Sequence, residues 1–147
     1  MNTGRQHIER AQTRPHRGVA ALAFVGSALL VCFWIFYFSG ILEFGTDDPV
    51  MIEFEAAFPF ADAMLASILF IAGLGLWKGR PFGRFCLTGG AAMALYLGIL
   101  DLTFYARQGM YVPLRSEGAV ELAINALCIV GGLVALAFSW KLERGQS

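Results

Sequence analysis

Apolar positions along this chain gather into four blocks separated by short polar stretches. Val19 to Leu42 runs for 24 residues without a charge. Ala63 to Trp77 is also uncharged, and Phe58, Phe60 and Ala61 extend it outward past Asp62. Phe85 to Leu100 is uncharged and continues as helix-compatible sequence through Asp101 to Tyr105, and Leu122 to Trp140 is uncharged again. A hydrocarbon core of ~30 Å needs ~20 residues at a rise of ~1.5 Å each. Each block meets that length, whereas buried helices of soluble domains rarely do.

The pattern predicts an all-α integral membrane four-helix bundle, up-down-up-down, with spans at about 19–42, 58–77, 83–106 and 118–140. Residues 1–18 read as a disordered basic cytoplasmic tail and 141–147 as a second tail, leaving 19–140 as a single transmembrane domain. The first block is longer than the apolar core of a secretory signal, and nothing like an A-x-A site follows it. It is therefore expected to be retained.

The polar stretches carry finer signals. Asp48 before Pro49 reads as an N-cap followed by proline at the first helical position, so a short interfacial helix is expected there, bent into the second span near Pro59. Lys78 to Arg84 reads as a compact basic turn that makes spans two and three antiparallel neighbours. Ser116 can cap span four, with Glu117 and Glu121 in its first turns, where the positive end of the helix favours acids.

A formal net charge of zero conceals a strong asymmetry. Arg5, Arg10, Arg14, Arg17, Lys78, Arg80, Arg84, Lys141 and Arg144 fall on one side of the four spans, against Arg107 and Arg115 on the other. The positive side is expected to be cytoplasmic, which places both termini inside a plasma or inner membrane. Nine of the eleven acids fall on the opposite side: Glu43, Asp47, Asp48, Glu53, Glu55, Asp62, Asp101, Glu117 and Glu121.

Composition removes several chemistries. Cys32, Cys86 and Cys128 stand singly in three spans, which argues against a disulfide framework or a dithiol oxidoreductase and for small buried apolar residues. His7 and His16 both lie in the basic tail, so haem ligation and Ser-His-Asp chemistry within the spans drop out. No cofactor is expected and the metal question stays open. The tail is short and has no interleaved aromatics, so no nucleic acid is expected as a partner. The expected partners are the lipid bilayer, a cation or basic small molecule, and a second copy or a larger membrane complex.

Counting from the cytoplasmic end of each span separates the outer acids. Asp62 is 15 residues from Trp77, Asp101 is 16 from Phe85 and Asn125 is 15 from Trp140, which puts all three at a depth of roughly 22 to 24 Å. Glu121 lies about one turn further out. In span three, Gly90, Ala94, Gly98, Asp101 and Tyr105 form one stripe, and Glu117, Glu121, Asn125 and Cys128 form another in span four. A carboxylate facing lipid would cost about 2.5 to 3.5 kcal/mol, so these stripes are expected to face the interior.

The expectation is an outward-facing acidic pocket of Asp62, Asp101, Glu121 and Asn125, lined by Tyr105, with Arg107 as a counter-charge. We read it as a site for a cation, proton or basic small molecule, in binding or transport. Two alternatives stay open: an accessory subunit whose acids form a packing network, and a small enzyme acting on a lipid-like substrate. Ser27, Ser67, Thr88 and Ser139 are about all the polarity available to the inner half, which favours binding over conduction. Nothing in the chain resembles a membrane-enzyme motif, and no catalytic residue is assigned.

Overall fold

The structure is a computed structural model that describes the backbone of residues 16–41, 48–113 and 116–144, with side chains of residues 118–141 in the last range. Among these, regular structure is helical: α1 Arg17–Phe38, α2 Pro49–Glu55, α3 Phe58–Trp77, α4 Pro81–Arg107 and α5 Ser116–Arg144. Four stretches, Arg17–Phe38, Pro49–Trp77, Pro81–Arg107 and Gly118–Lys141, are long and apolar enough to cross a membrane. Much of their apolar surface is uncovered by protein, as at Phe85, 81 % exposed, and Leu22, 71 % exposed. Side chains of this kind are solvated by lipid at no cost.

The helix ends follow a shared rule that the apolar blocks conceal. α1 stops at Phe38 although the uncharged run continues to Leu42, because Gly40 takes a left-handed φ of 71°. The Gly40 and Ile41 N–H groups then donate to the Tyr37 and Phe36 carbonyls at 3.1 Å each. Gly79 ends α3 in the same way, with φ 61° and bonds from Gly79 to Leu76 and from Arg80 to Gly75. Gly109 repeats it after α4, with φ 72° and bonds to Ala106 and Tyr105. Glycine reaches this region without a Cβ penalty, and the two bonds satisfy carbonyls that would otherwise face an apolar medium.

Helix starts follow the expected chemistry. The Asp48 carboxylate accepts from Val50 N at 2.9 Å, and Pro49 follows as the first residue of α2. α2 and α3 are separated at Ala56–Ala57, and Pro59 sits in the first turn of α3, where its missing N–H costs nothing. α4 begins at Pro81, so the basic turn is shorter than expected: Lys78, Gly79 and Arg80 alone. α1 begins at Arg17 and α5 stays helical through Arg144, so both expected tails are trimmed. The remainder of the N-terminal tail, Glu43, Asp47, Arg115, and the side chains of Ser116, Glu117, Glu143 and Arg144 lie outside the described residues.

The chain divides into two compact units, residues 1–87 and 88–147, with the division inside α4. In the first unit α1 and α3 are antiparallel. Phe24 meets Gly73, the Ser27 hydroxyl donates to Ala66 O at 2.8 Å, and the Trp34 indole reaches Asp62. Small buried residues, Ala20, Ala23 and Ser27 on α1 and Ala66, Ala72 and Gly73 on α3, let the backbones approach. The closest approach lies at the basic turn, where a Cβ on Gly75 would stand 2.4 Å from Gly83 Cα.

The second unit is an antiparallel pair of α4 and α5. Gly98 lies against Asn125, Cys128 and Ile129, Gly132 lies against Ala91 and Leu95, and Gly118 lies against Met110. The buried positions Gly118, Glu121, Asn125 and Gly132 follow the three-and-four spacing of a helix–helix seam. Of the three cysteines, Cys86 and Cys128 are partly buried, whereas Cys32 is exposed, contrary to the expectation of burial.

Candidate functional site

In the first unit the acids are held by aromatic donors of α1. The Trp34 Nε1–H donates to Asp62 Oδ2 at 2.9 Å, and the Tyr37 hydroxyl donates to Glu55 Oε2 at 3.4 Å. Trp34 and Tyr37 occupy consecutive turns, three residues apart, so one face of α1 presents both donors. Their rings pack edge to face at 5.1 Å between centroids, and Phe33 and Phe38 add to the same cluster. A partly buried carboxylate in such surroundings needs a donor, and the indole supplies one without introducing a second charge.

In the second unit Asn125 is the centre. Its side chain is 1 % exposed, and Glu121 one turn before it is 7 % exposed. The Asn125 Nδ2 donates to the Tyr111 hydroxyl oxygen at 3.4 Å. On α4, Gly90, Gly98 and Tyr105 of the expected stripe are buried, and Ala94 and Asp101 are partly buried. Since Gly98 lies against α5, the stripe bearing Asp101 and Tyr105 faces that helix. One turn along α4 from Gly98 and one turn back along α5 from Cys128 lead to Asp101 and to Asn125, on the same level.

Tyr111 lies outside the apolar spans, in the connection after α4, and reports the field around it. Burial pushes its phenol above the ordinary value of 10.0, the bond with Asn125 pulls it back, and the charges of Asp101 and Glu121 push it up again. Two carboxyl groups from facing helices therefore act on one phenolic oxygen that already accepts a hydrogen bond. Such a place disfavours further negative charge.

The sequence-predicted residues thus divide between the two units. Asp62 belongs to the first, with Trp34 as its partner. Asp101, Tyr105, Glu121 and Asn125 belong to the second. Arg107 is exposed on the last turn of α4, where a cation complements the negative end of the helix, a sufficient structural role. Two residues that sequence reasoning passed over complete the picture, Trp34 and Tyr111. Trp34 falls within the apolar run Val19 to Leu42, yet its three-residue spacing from Tyr37 is a readable sign of a donor face.

Of the inner-half hydroxyls, Ser27 bonds across to Ala66 O and Ser67 back to Ala63 O at 2.7 Å, whereas the buried Ser139 Oγ has no hydrogen-bond partner among the described residues. Among the described residues no group of three His, Cys, Asp or Glu side chains is placed to hold a metal ion. No family model, no curated protein and no solved structure matches this chain.

Proposed function

We propose that this chain is a multi-pass protein of the plasma or inner membrane, with both termini cytoplasmic, that binds a proton or a basic organic molecule from the outer face. The orientation rests on the nine-to-two division of Lys and Arg. The binding reading rests on one observation: Asp101 and Glu121 both act on Tyr111, which is bonded to the buried Asn125. Asp101 and Glu121 supply the negative charge, Asn125 fixes the Tyr111 oxygen, and Tyr105 closes the stripe beside Asp101. With two carboxyl groups and an amide, the described donor set suits a proton or an ammonium group better than a multivalent metal.

The test is binding by the full-length protein in proteoliposomes, with a panel of amines offered from outside at two pH values. Asp101→Asn and Glu121→Gln are expected to abolish binding of any amine that shifts the melting temperature of the parent. If both variants bind as the parent does and merely melt earlier, the acids are packing elements. A structural reading is favoured at one position by a specific observation, the Trp34–Asp62 bond, which already accounts for Asp62.

A further inference from the structure

The first unit has a second charged region, at the opposite end of α3 from Asp62. The last turn of α3 is a meeting point for three segments of chain. His16 N donates to Leu76 O at 3.1 Å, and Arg80 N donates to Gly75 O at 2.8 Å. Lys78 stands between Trp77 and the Gly79–Arg80 turn in sequence. Two backbone bonds to adjacent carbonyls therefore tie the start of α1 and the basic turn to the same helix end. Arg17 follows His16 directly, and its guanidinium carbon sits 5.7 Å from the centre of the Trp77 ring.

Arg17, Lys78 and Arg80 are all exposed, as are Trp77, Phe82 and Phe85 beside them. Residues 16–41 and 63–87 contain no Asp or Glu. The described acids of this unit, Asp48, Glu53, Glu55 and Asp62, lie at the far end of α3 or beyond it. The nearest, Asp62, is 15 residues from Trp77, or about 22 Å of helix. The C-terminal carbonyls of α3 carry only about half a unit of negative charge, and the backbone N–H groups of His16, Lys78, Gly79 and Arg80 already occupy them. Among the described residues of this unit these three exposed cations, one of them on the Trp77 ring, have no acid nearer than Asp62, and they stand at the end of helices long enough to cross a membrane. The anion available at that depth is a lipid phosphate.

We infer that Arg17, Lys78 and Arg80, tied together by the last turn of α3, bind the phosphate headgroup of an anionic lipid. The inference rests on the membrane reading, but on neither the orientation nor the acid site of the second unit. Arg17 is held in place by its stacking on Trp77, so it meets the headgroup with less loss of freedom than a loose arginine. The aromatic side chains beside it accept the upper part of the acyl chains.

The test uses the full-length chain in detergent with an equimolar mixture of phosphatidylglycerol and phosphatidylcholine. Retained lipid is measured after gel filtration, with and without millimolar inorganic phosphate. Phosphatidylglycerol is expected to be retained in preference, and phosphate to leave it in place. At about fivefold per basic residue, the R17Q/K78Q/R80Q variant should lose roughly a hundredfold of that preference. The charge-retaining R17K/R80K variant should keep it, and single Gln variants carry the measurement if the triple variant does not fold. An undiminished preference in the Gln variants overturns the inference, as does displacement by free phosphate. Carbonate-resistant insertion into pure phosphatidylcholine bilayers reports on the membrane reading separately.

Discussion

The two units use the same residue types, carboxylic acids beside aromatic side chains with polar groups, in opposite senses. In the first unit the aromatic group gives the hydrogen: Trp34 donates to Asp62 and Tyr37 to Glu55. In the second unit the Tyr111 oxygen receives one from Asn125 and stands in the field of Asp101 and Glu121. A donor facing a carboxylate lowers the cost of keeping that charge in an apolar medium, and so builds structure. A phenol that accepts from an amide and stands under the charge of two carboxyl groups holds its own proton more tightly. The difference sets carboxylates held by aromatic donors in the first unit against a phenol under the charge of two carboxyl groups in the second.

One glycine in each unit, Gly83 and Gly98, also meets its neighbours with different tightness, and here the largest effect is expected. A Cβ at Gly83 would stand 2.4 Å from Leu76 N, against main-chain atoms that cannot rotate away. Gly83→Val should therefore cost about 3 kcal/mol or more in unfolding by denaturing detergent, followed by circular dichroism. In the second unit a Cβ at Gly98 would meet Cys128 Cβ and Ile129 Cγ1 at 3.0 Å, and the Ile129 side chain can give way. Gly98→Ala should cost nearer 1 kcal/mol. Gly131, with nothing within 4 Å, should accept alanine unchanged. Equal losses at Gly83 and Gly98 would erase the contrast.

Next in size is the indole bond of the first unit. Trp34→Phe keeps most of the ring packing and removes the donor to Asp62, so a loss of about 1 to 2 kcal/mol is expected. In a double-mutant cycle with Asp62→Leu, which removes both acceptor oxygens, a coupling of about 1 kcal/mol would identify the bond as the source. Zero coupling would show that Asp62 depends on something other than Trp34.

Much of this arrangement was legible in the sequence, for reasons that also explain what was missed. Charge-free blocks revealed four apolar helices because lipid solvates them along their whole length. Asp48 with Pro49 revealed the start of α2, because both residues act locally. The stripe through Gly90, Gly98, Asp101 and Tyr105 revealed the packed face of α4, since helical spacing alone fixes which residues share a face. The stop of α1 at Phe38 was hidden, because inside an apolar run the only sign is one glycine, and glycines in these helices also serve close packing, as at Gly73 and Gly75. Trp34 and Tyr111 were hidden for a different reason. A carboxylate's partner is chosen by the crossing of two helices or the path of a loop, and an aromatic residue counted as apolar conceals its donor or acceptor.

The smallest expected effect is the most specific, because it reads the field of the second unit directly. Tyr111 is an acid whose folded pKa lies above its unfolded value of 10.0. The folded state therefore holds that proton more tightly than the unfolded one. The stability this contributes is fully present below pH 10.0 and is lost as the pH rises through the higher folded value. Alkaline melting curves of the parent should decline over that window more steeply than those of Tyr111→Phe. Tyrosinate absorbance should titrate in opposite directions in two variants. Asn125→Leu removes the bond that pulls the phenol down, and so raises its pKa further. Asp101→Asn removes a charge that pushes it up, and so lowers it. If both variants move the titration the same way, Tyr111 does not stand between the amide and the carboxylate. The negative potential assigned to the second unit would then have lost its reporter, and the contrast with the first unit would rest on Asp62 and Trp34 alone.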